Sequence, residues 1–269
     1  MLSIIIVNYN LKEWLKRYLE SLKKAELKTP YEILVIDNAS TDSSSESLEK
    51  IKENFSNLVV ILNQKNLGYA KAVNQGLKLA KGECLFISNP DILITPGSLE
   101  KMADFLKNHP EVGVLGPQLR YLDNRLQFSC FSFPRFYTPF IRRTFLKHLP
   151  FGKKELDRYL MRNFSHQEIH EVDWLLGSSL MIRKETLEKV GLMDERFFIY
   201  FEDIDWCRRF KEKGFKVMYF PEAYLIHEHQ RLSSRKKGFF ALFDKPFLIH
   251  IISAVKYFWK WRKKHCGVV

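Results

Sequence analysis

The sequence has no hydrophobic run long enough to cross a bilayer as a helix. Its longest stretches without a charged residue, 1–11 and 54–64, have eleven residues each, whereas a spanning helix needs about 20 apolar residues. The first residues also lack the basic start and the small-residue cleavage site of a secretory signal peptide. These absences predict a cytoplasmic protein.

Cysteines and glycine-rich nucleotide motifs are also scarce. The four cysteines, Cys84, Cys130, Cys207 and Cys266, lie far apart and form no Cys-x-x-Cys pair, which predicts reduced thiols and fits a cytoplasmic location. Neither Gly-x-x-x-x-Gly-Lys nor Gly-x-Gly-x-x-Gly occurs. A P-loop kinase or a dinucleotide oxidoreductase is therefore not supported.

The composition fits a folded protein with an uneven charge. Of the 269 residues, 46% are hydrophobic and 28% are charged, which allows a sizeable core. Residues 1–119 are neutral, 120–170 carry +6, 171–230 carry −3 and 231–269 carry +9, which together make the net charge of +12. Such a charge fits a nucleic-acid binder or a protein that rests on an anionic membrane. Net charge alone does not choose between them.

The first 119 residues alternate short apolar runs with amphipathic segments. The apolar runs are typical of strands buried on both faces, and the amphipathic segments have helical spacing. The predicted strands are Leu2–Val7, Glu32–Asp37, Leu58–Leu62 and Cys84–Ser88, and the predicted helices are Leu11–Lys24, Ser45–Asn54, Tyr69–Leu79 and Pro96–Asn108. This alternation predicts an α/β fold with a mostly parallel sheet and right-handed crossovers.

The rest of the chain has a different pattern. Residues 120–170 are aromatic and basic without a clean period, which predicts an insertion that folds over the sheet. Strand material is predicted in Val172–Arg183, a helix in Glu202–Lys213 and a short strand in Lys216–Tyr219.

Polar side chains follow three of the predicted strands. They are Asn8-Tyr9-Asn10, Asp37-Asn38 and Asn89-Pro90-Asp91. Asn and Asp are also common in ordinary turns, but three such ends on one edge of a parallel sheet indicate a ligand site. A carboxylate there can hold Mg²⁺ or Mn²⁺ and leave coordination positions for the oxygens of a diphosphate.

Six motifs follow one another in order between residues 3 and 209. They are Ser-Ile-Ile-Ile-Val-Asn-Tyr-Asn (3–10), Val-Ile-Asp-Asn-Ala-Ser-Thr-Asp (35–42), Asn-Leu-Gly-Tyr-Ala-Lys-Ala-Val-Asn-Gln-Gly (66–76), Phe-Ile-Ser-Asn-Pro-Asp (86–91), Gly-Ser-Ser-Leu-Met-Ile-Arg (177–183) and Gly-Leu-Met-Asp-Glu-Arg-Phe-Phe-Ile-Tyr-Phe-Glu-Asp-Ile-Asp-Trp-Cys-Arg-Arg (191–209). This series resembles family-2 glycosyltransferases with the GT-A fold, and within them the rhamnosyltransferase-like branch. The resemblance covers about residues 1–230. It implies a nucleotide-sugar half (1–119), the basic aromatic insertion (120–170) and an acceptor and catalytic half (171–230), with a separate tail at 231–269.

The resemblance implies a nucleotide site and a metal site at the sheet edge. The nucleotide pocket would be formed by Val7, Asn8, Tyr9, Asp37, Asn66, Gly68 and Asn89. Asn89-Pro90-Asp91 stands where the family has an Asp-x-Asp metal motif, so one carboxylate is missing here. Asp91 would be the principal ligand of Mg²⁺ or Mn²⁺, and His227 matches a metal-binding histidine of the family.

The resemblance also implies a catalytic base and a sugar pocket. Asp203 matches the base, and a carboxylate at a helix start is held in its ionised form by the helix dipole. Glu202, Trp174 and Gly177 would shape the pocket for the acceptor or the donor sugar. Acidic residues also favour helix starts without any catalytic role, and a tryptophan also serves as a core residue, so these alternatives stay open for Glu202 and Trp174.

The implied activity is inverting, metal-dependent transfer of a sugar from dTDP-rhamnose or a UDP-sugar to a hydroxyl of a glycan or lipid-linked acceptor in cell-surface polysaccharide synthesis. Two other classes are open. A sugar-nucleotide nucleotidyltransferase would need a Gly-rich basic loop, which residues 8–14 do not contain. A nucleic-acid-binding module would rest on the charge alone, because residues 1–119 are neutral and no recognition motif occurs. We therefore expect no nucleic-acid partner; the sequence does not determine the oligomeric state.

The tail at residues 231–269 combines basic and aromatic residues. Phe243, Phe247, Ile251, Val255 and Phe258 recur at helical spacing, and the basic complement is Lys245, Lys256, Lys260, Lys263 and Lys264. This pattern predicts a helix that lies on an anionic membrane surface, at the inner face of the cell membrane. The alternative is a last helix packed on the sheet.

Overall fold

The computed structural model describes residues 1–53, 55–228 and 245–262, which form a central sheet flanked by helices. The strands are β1 (Leu2–Asn8), β2 (Tyr31–Asp37), β3 (Leu58–Leu62), β4 (Cys84–Ser88), β5 (Ile92–Leu93), β6 (Val112–Arg120), β7 (Leu126–Gln127), β8 (Cys130–Phe131), β9 (His170–Glu171), β10 (Trp174–Leu175), β11 (Ser179–Arg183) and β12 (Lys216–His227). The helices are α1 (Lys12–Lys24), α2 (Ser44–Lys52), α3 (Tyr69–Leu79), α4 (Ser98–Asn108), α5 (Thr138–Arg143), α6 (Pro150–Tyr159), α7 (Lys184–Val190), α8 (Glu202–Glu212) and α9 (Lys245–Trp261). Within these residues, no helix has both the length and the apolar character that a membrane span requires.

The main sheet has the strand order β3-β2-β1-β4-β11-β6-β12-β5, with β7 beside β6 and β9 beside β12. β1 pairs in parallel with β2 and β4, and β2 pairs in parallel with β3, as the sequence predicts. β11 runs antiparallel to β4, so that Ser179 at its start lies opposite Ser88 at the end of β4. This reversal brings the residues just before β11 to the carboxyl edge of the parallel strands.

Alternating residues of β1 enter two hydrophobic clusters, one on each face of the sheet. Ile4 and Ile6 join the cluster that includes α1 and α4, and Ile5 and Val7 join the cluster that includes α3 and α8. Every residue of β1 is buried, which explains why its sequence is apolar except at Ser3 and Asn8. Each buried aliphatic side chain of this kind stabilises the fold by about 1.5–3 kcal/mol.

Several predicted boundaries differ from the structure, and the local backbone explains two of the differences. The helix predicted from Pro96 begins at Ser98, because Gly97 has a φ of +72° and cannot extend a right-handed helix. The short strand predicted at Lys216–Tyr219 is the longer β12. Its register with β6 shifts between Phe220 and Tyr224, which leaves Pro221 outside the paired residues and lets the strand continue.

The basic insertion is joined to the chain that follows it by a separate two-stranded sheet, in which β8 pairs with β10, and by aromatic rings. The Phe131 ring stacks on Trp174 with 4.4 Å between centroids and on Tyr159 with 5.5 Å. Trp174 therefore sits between the insertion and the main body. The insertion also contains α5, a 3₁₀ turn at Phe145–His148 and α6, none of which has a clear period in the sequence.

The last helix, α9, packs on the main body along one face. Tyr257 and Trp261 are buried in the same cluster as α8, and Ser253 Oγ donates a hydrogen bond to the Ile199 carbonyl at 2.9 Å. The opposite face is exposed and apolar; it consists of Leu248, Ile251, Ile252, Val255 and Trp259. The predicted tail residues Phe243, Lys263 and Lys264 lie outside the described residues, and the division of the chain at residue 230 stays a prediction.

Candidate active site

The ends of β1 and β2 meet in a buried hydrogen-bonded cluster. Asn8 Nδ2 donates to Asp37 Oδ1 at 2.8 Å and to Ser40 Oγ at 3.1 Å, and Ser40 Oγ donates to Asp37 Oδ1 at 2.6 Å. Asn8 and Asp37 are almost fully buried, as is Val7, whereas Tyr9 is 46% exposed. The predicted nucleotide residues at the ends of β1 and β2 are Val7, Asn8, Tyr9 and Asp37. Among these four, Tyr9 is the one whose side chain is exposed to solvent.

Asn66 and Gly68 join the same edge through Asn38. The Asn38 amide donates to Asn66 Oδ1 at 3.0 Å and to the Gly68 carbonyl at 3.3 Å. Gly68 has a φ of +86°, and a Cβ on it would lie 2.6 Å from the Phe198 carbonyl oxygen. The sequence interpretation assigned this glycine to a close approach of the nucleotide. The structure places Gly68 against the Phe198 backbone, and its position beside a nucleotide stays a prediction.

Asp91 and His227 lie next to each other at the other end of this edge. β5 and β12 pair so that Ile92 lies opposite His227, and His227 Nε2 is 3.5 Å from Asp91 Oδ2. His227 Nδ1 is 3.0 Å from Gln127 Oε1. Because an amide oxygen only accepts, Nδ1 carries the proton and Nε2 is the nitrogen with the lone pair in neutral histidine.

This pair has the character of a cation site. Asp91 Oδ1 and Asn89 Oδ1 are buried without a hydrogen-bond partner in the described parts of the chain, which leaves acceptor oxygens beside the imidazole. Carboxylate, amide and imidazole groups suit Mg²⁺ or Mn²⁺. No group of three or more His, Cys, Asp or Glu side chains with metal-binding geometry occurs in residues 1–53, 55–228 and 245–262. A cation here would therefore need ligands beyond the Asp91 and His227 side chains.

The first turn of α8 holds three buried carboxylates, Glu202, Asp203 and Asp205, of which Asp203 matches the predicted base. Asp203 accepts hydrogen bonds from the backbone N–H groups of Gly177 at 3.0 Å and of Ile204 at 2.9 Å. Burial raises the pKa of Asp203 to about 6, and these two N–H groups oppose the rise. Asp203 is thus ionised at neutral pH, as the sequence predicts, but burial makes it a stronger base than the helix dipole alone implies.

The carboxyl of Glu202 also has a raised pKa. Burial, and then the neighbouring charge of Asp203, raise its pKa well above the usual range. Its Oε2 atom is buried and has no hydrogen-bond partner among the described residues. A protonated Glu202 can donate a hydrogen bond to a bound molecule, which an ionised carboxylate cannot do.

Gly177 and Tyr69 place Asp203 at the sheet edge. A Cβ on Gly177 would lie 3.1 Å from Asp203 Cβ and 3.2 Å from Asp203 Oδ2, so the absence of a side chain permits this approach. Tyr69 Oη donates to the Gly177 carbonyl at 2.8 Å. Burial, and then the charges of Glu202, Asp203 and Asp91, raise the pKa of Tyr69. The carboxylates of Glu202, Asp203 and Asp91 therefore all lie close enough to Tyr69 for their charges to act on it.

Sequence reasoning missed three residues of this site and left one ambiguous. Gln127 orients His227 from an aperiodic part of the insertion, so no pattern could have identified it. Asn38 and Tyr69 lie inside recognised motifs, but their roles depend on contacts with distant segments. Trp174 is 5% exposed and its Nε1 donates to the Ser132 carbonyl at 3.1 Å, so its rings pack as a core residue does, and a pocket role stays a prediction.

The sequence matches Glycosyl transferase family 2 over residues 3–166 and Glycosyl transferase family group 2 over residues 89–268. An N-acetylglucosaminyl-diphospho-decaprenol L-rhamnosyltransferase of Mycobacterium tuberculosis is 29% identical over 249 residues, which are 87% of this chain and 78% of the relative. Rhamnosyltransferase WbbL of Escherichia coli is 24% identical over 274 residues, covering 96% of this chain and 92% of the relative.

Solved structures share the fold. The crystal structure of GalNAc-T7 with UDP, GalNAc and Mn²⁺ superposes with a TM-score of 0.70 at 18% identity, covering 98% of this chain and 50% of that chain. S. aureus TarS 1-349 in complex with UDP-GlcNAc superposes with a TM-score of 0.60 at 20% identity, covering 96% of this chain and 66% of that chain. The chain spans 36% of the TarS chain in another of its structures. These likenesses confirm the predicted GT-A fold.

The match to the family extends over more than half of the chain, and the rhamnosyltransferase relatives cover most of it. The chain belongs to glycosyltransferase family 2, is a glycosyltransferase, and falls in the rhamnosyltransferase-like branch of that family.

Proposed function

We propose that this enzyme transfers a sugar with inversion from a nucleoside diphosphate sugar, dTDP-rhamnose or a UDP-sugar, to a hydroxyl of a glycan or lipid-linked acceptor. The observation that carries this proposal is the arrangement around Tyr69. Its hydroxyl holds the Gly177 loop against Asp203, and the charges of both Asp203 and Asp91 reach it. The base and the diphosphate site would therefore lie close together at one edge of the sheet.

The nucleotide would bind along the ends of β1 and β2. Asn8, Asp37 and Ser40 form a preorganised hydrogen-bonded set there, and Tyr9 offers an exposed ring for a base to stack on. The UDP in the two solved structures of the same fold supports a uridine or thymidine nucleotide.

Asp91 and His227 would hold Mg²⁺ or Mn²⁺, with Asn89 beside them. When bound, the cation supplies positive charge that stabilises the departing diphosphate. Gln127 keeps the His227 lone pair on Nε2 and so favours the metal-binding form. The asparagine at position 89 leaves one negative charge fewer than a two-aspartate motif has, and we expect a weaker metal affinity for that reason.

Asp203 would remove the proton of the acceptor hydroxyl. As that proton moves to Asp203, the acceptor oxygen forms a bond to the anomeric carbon from the face opposite the diphosphate, and the bond from that carbon to the diphosphate oxygen breaks. One displacement inverts the configuration, and no enzyme nucleophile is required. The protonated Glu202 would donate a hydrogen bond to a sugar hydroxyl in the same pocket.

The acceptor would be carried by a membrane lipid. The M. tuberculosis relative is named for a decaprenol-linked substrate, and α9 presents an exposed apolar face. We propose that α9 and the rest of the tail hold the enzyme at the inner face of the membrane, as the sequence predicts.

A thermal-shift experiment tests the donor and metal sites. UDP or dTDP together with Mn²⁺ should raise the melting temperature of the wild type, because a ligand bound only by the native state adds about 2.7 kcal/mol at a hundredfold excess over its Kd. Asp91→Asn and His227→Gln should lose the part of the shift that depends on Mn²⁺. In EDTA, these variants and the wild type should respond alike to the nucleotide.

The matched control is Asp104→Asn, an exposed aspartate of α4, which should behave as the wild type. A wild-type shift of equal size in Mn²⁺ and in EDTA would remove Asp91 and His227 from the metal site. Products of opposite anomeric configuration to the donor support inversion, and retained configuration contradicts it.

A further inference from the structure

The segment 136–154 of the insertion exposes four phenylalanines. Phe136, Phe140, Phe145 and Phe151 are 78%, 62%, 72% and 55% exposed. Single exposed apolar residues are normal, but four large aromatic rings within sixteen residues of sequence mark an interaction surface. Nothing in the proposed sugar-transfer chemistry accounts for them.

The elements that carry these rings are held by buried contacts on their other side. Ile141 of α5 is 3% exposed, and the Thr138 hydroxyl of α5 donates to Glu155 of α6. Arg158 Nη2 lies 2.7 Å from Glu155 Oε1. The two short helices are thus fixed to each other and to the main body, and the phenylalanines occupy the sides that these contacts leave open.

The segment itself carries basic residues and no acidic ones. Residues 124–154 contain no Asp or Glu, and the segment 136–154 carries five basic side chains that are exposed, namely Arg142, Arg143, Lys147, Lys153 and Lys154. Phenylalanines alternate with lysines and arginines along it. That combination fits an anionic lipid surface, where aromatic rings enter the interface and basic groups meet the headgroups.

The surface lies beside both the catalytic helix and α9. Arg142 Nη1 is 3.2 Å from the Tyr159 hydroxyl, and the charge of Asp203 reaches that same tyrosine. The Arg208 guanidinium of α8 lies 5.4 Å from the Phe133 ring of the insertion and 4.3 Å from the Trp261 ring of α9. The insertion, α8 and α9 therefore meet at one place.

We propose that segment 136–154 is a second membrane-docking surface, which binds an anionic bilayer together with the exposed face of α9 and brings lipid-linked acceptors to the Asp203 side of the site. This inference rests on the proposed lipid-linked acceptor. It adds a surface that is separate from the tail and that lies beside the base.

Charge reversal tests the electrostatic part. Lys147→Glu/Lys153→Glu/Lys154→Glu should reduce binding to vesicles of phosphatidylcholine with phosphatidylglycerol at low salt on the order of a hundredfold, because each basic group near such a surface contributes roughly fivefold. The matched control is Lys50→Glu/Lys52→Glu/Lys107→Glu, three exposed lysines on α2 and α4, which should bind nearly as the wild type does. Equal binding by wild type and the 147/153/154 variant would overturn the proposal.

Removal of the rings tests the apolar part. Phe140→Ser/Phe145→Ser should release the protein from anionic vesicles at high salt, where screening leaves the aromatic contribution. The control is Val59→Ser/Leu79→Ser, at exposed apolar positions on β3 and α3. This variant should stay bound to the vesicles at high salt. If only Ile252→Ser/Val255→Ser on α9 releases the protein, the tail alone docks and the inference is wrong.

Two further readouts separate this inference from the proposed function. Transfer to a water-soluble acceptor should be unchanged in the Phe140/Phe145 variant, and transfer to a lipid-linked acceptor in vesicles should fall. If the wild type transfers sugar to neither acceptor, the proposed function is wrong. The vesicle-binding measurements then still test whether segment 136–154 binds a membrane. If sedimentation velocity shows a wild-type dimer that the Phe140/Phe145 variant does not form, the surface contacts a second copy and the membrane proposal is overturned.

Discussion

Asp203 is a buried carboxylate whose charge changes close to neutral pH. Burial raises its pKa to about 6, and a general base must be ionised to accept a proton. We predict that kcat/KM falls about tenfold per pH unit below pH 6 and is constant above about pH 7. The measurement is a pH–rate profile with saturating Mn²⁺.

The control for that profile is Asp203→Asn, which retains an oxygen to accept the Gly177 N–H hydrogen bond but cannot take a proton. Its residual rate should be lower by about 10²–10⁴-fold and should show no inflection near pH 6. A wild-type profile without an inflection between pH 5 and pH 8 would assign the base to another residue.

The helices α8 and α9 are joined by a buried ionic contact. Asp205 of α8 is fully buried and accepts from Lys260 Nζ at 2.7 Å, Trp261 Nε1 at 2.9 Å and Arg209 Nε at 3.1 Å. Lys260 also lies 2.8 Å from Asp194 Oδ2. The sequence interpretation counted Lys260 among the lysines that face the membrane. That part of it is wrong, because Lys260 faces two carboxylates of the main body.

We predict that Lys260→Met lowers the free energy of unfolding by about 1–3 kcal/mol, because it removes one of the partners of a buried carboxylate while Arg209 and Trp261 remain. Urea unfolding monitored by tryptophan fluorescence measures it. Lys256→Met is the matched control, since exposed Lys256 donates to the Arg196 carbonyl at 2.8 Å and faces no carboxylate there. Equal losses in the two variants would show that Asp205 does not depend on Lys260.

The stability of the whole molecule is linked to the ionisation of Asp203. Its carboxyl binds a proton more tightly in the folded protein, where its pKa is about 6, than in the unfolded chain, where it has its ordinary pKa of 3.8. Folding therefore becomes less favourable as the pH rises between these values, and the cost persists above them. We predict that Asp203→Asn stabilises the protein by about 2–3 kcal/mol near pH 7.5 and by about half as much near pH 5.

The measurement is urea unfolding of both proteins at these two pH values. A variant less stable than the wild type near pH 7.5 would show that Asp203 contributes more through its hydrogen bonds than burial of its charge costs. Asp104→Asn, at an exposed position, again serves as the control. It should leave the free energy of unfolding unchanged at both pH values.

At the scale of the whole molecule, the strands and helices could be predicted where they depend only on the local spacing of apolar residues. The runs at β1 to β4 and the helices between them were predicted almost to the residue. Strands buried on both faces, such as β1, are mostly apolar, and an amphipathic helix must repeat its apolar positions. The strand-end residues Asn8, Asp37 and Asp91 could be identified for the same reason. Strand direction then placed them on one edge.

The remaining features depend on contacts between distant segments, which no local pattern records. Ser179 lies opposite Ser88 only because β11 inserts antiparallel beside β4, and this brings Gly177 to Asp203. Gln127 orients His227 across 100 positions of sequence. The amphipathic spacing of α9 was readable in the chain, but which of its faces is covered was decided by the tertiary structure, since the buried carboxylate of Asp205 attracts Lys260 and Trp261 and leaves Val255 and Trp259 exposed.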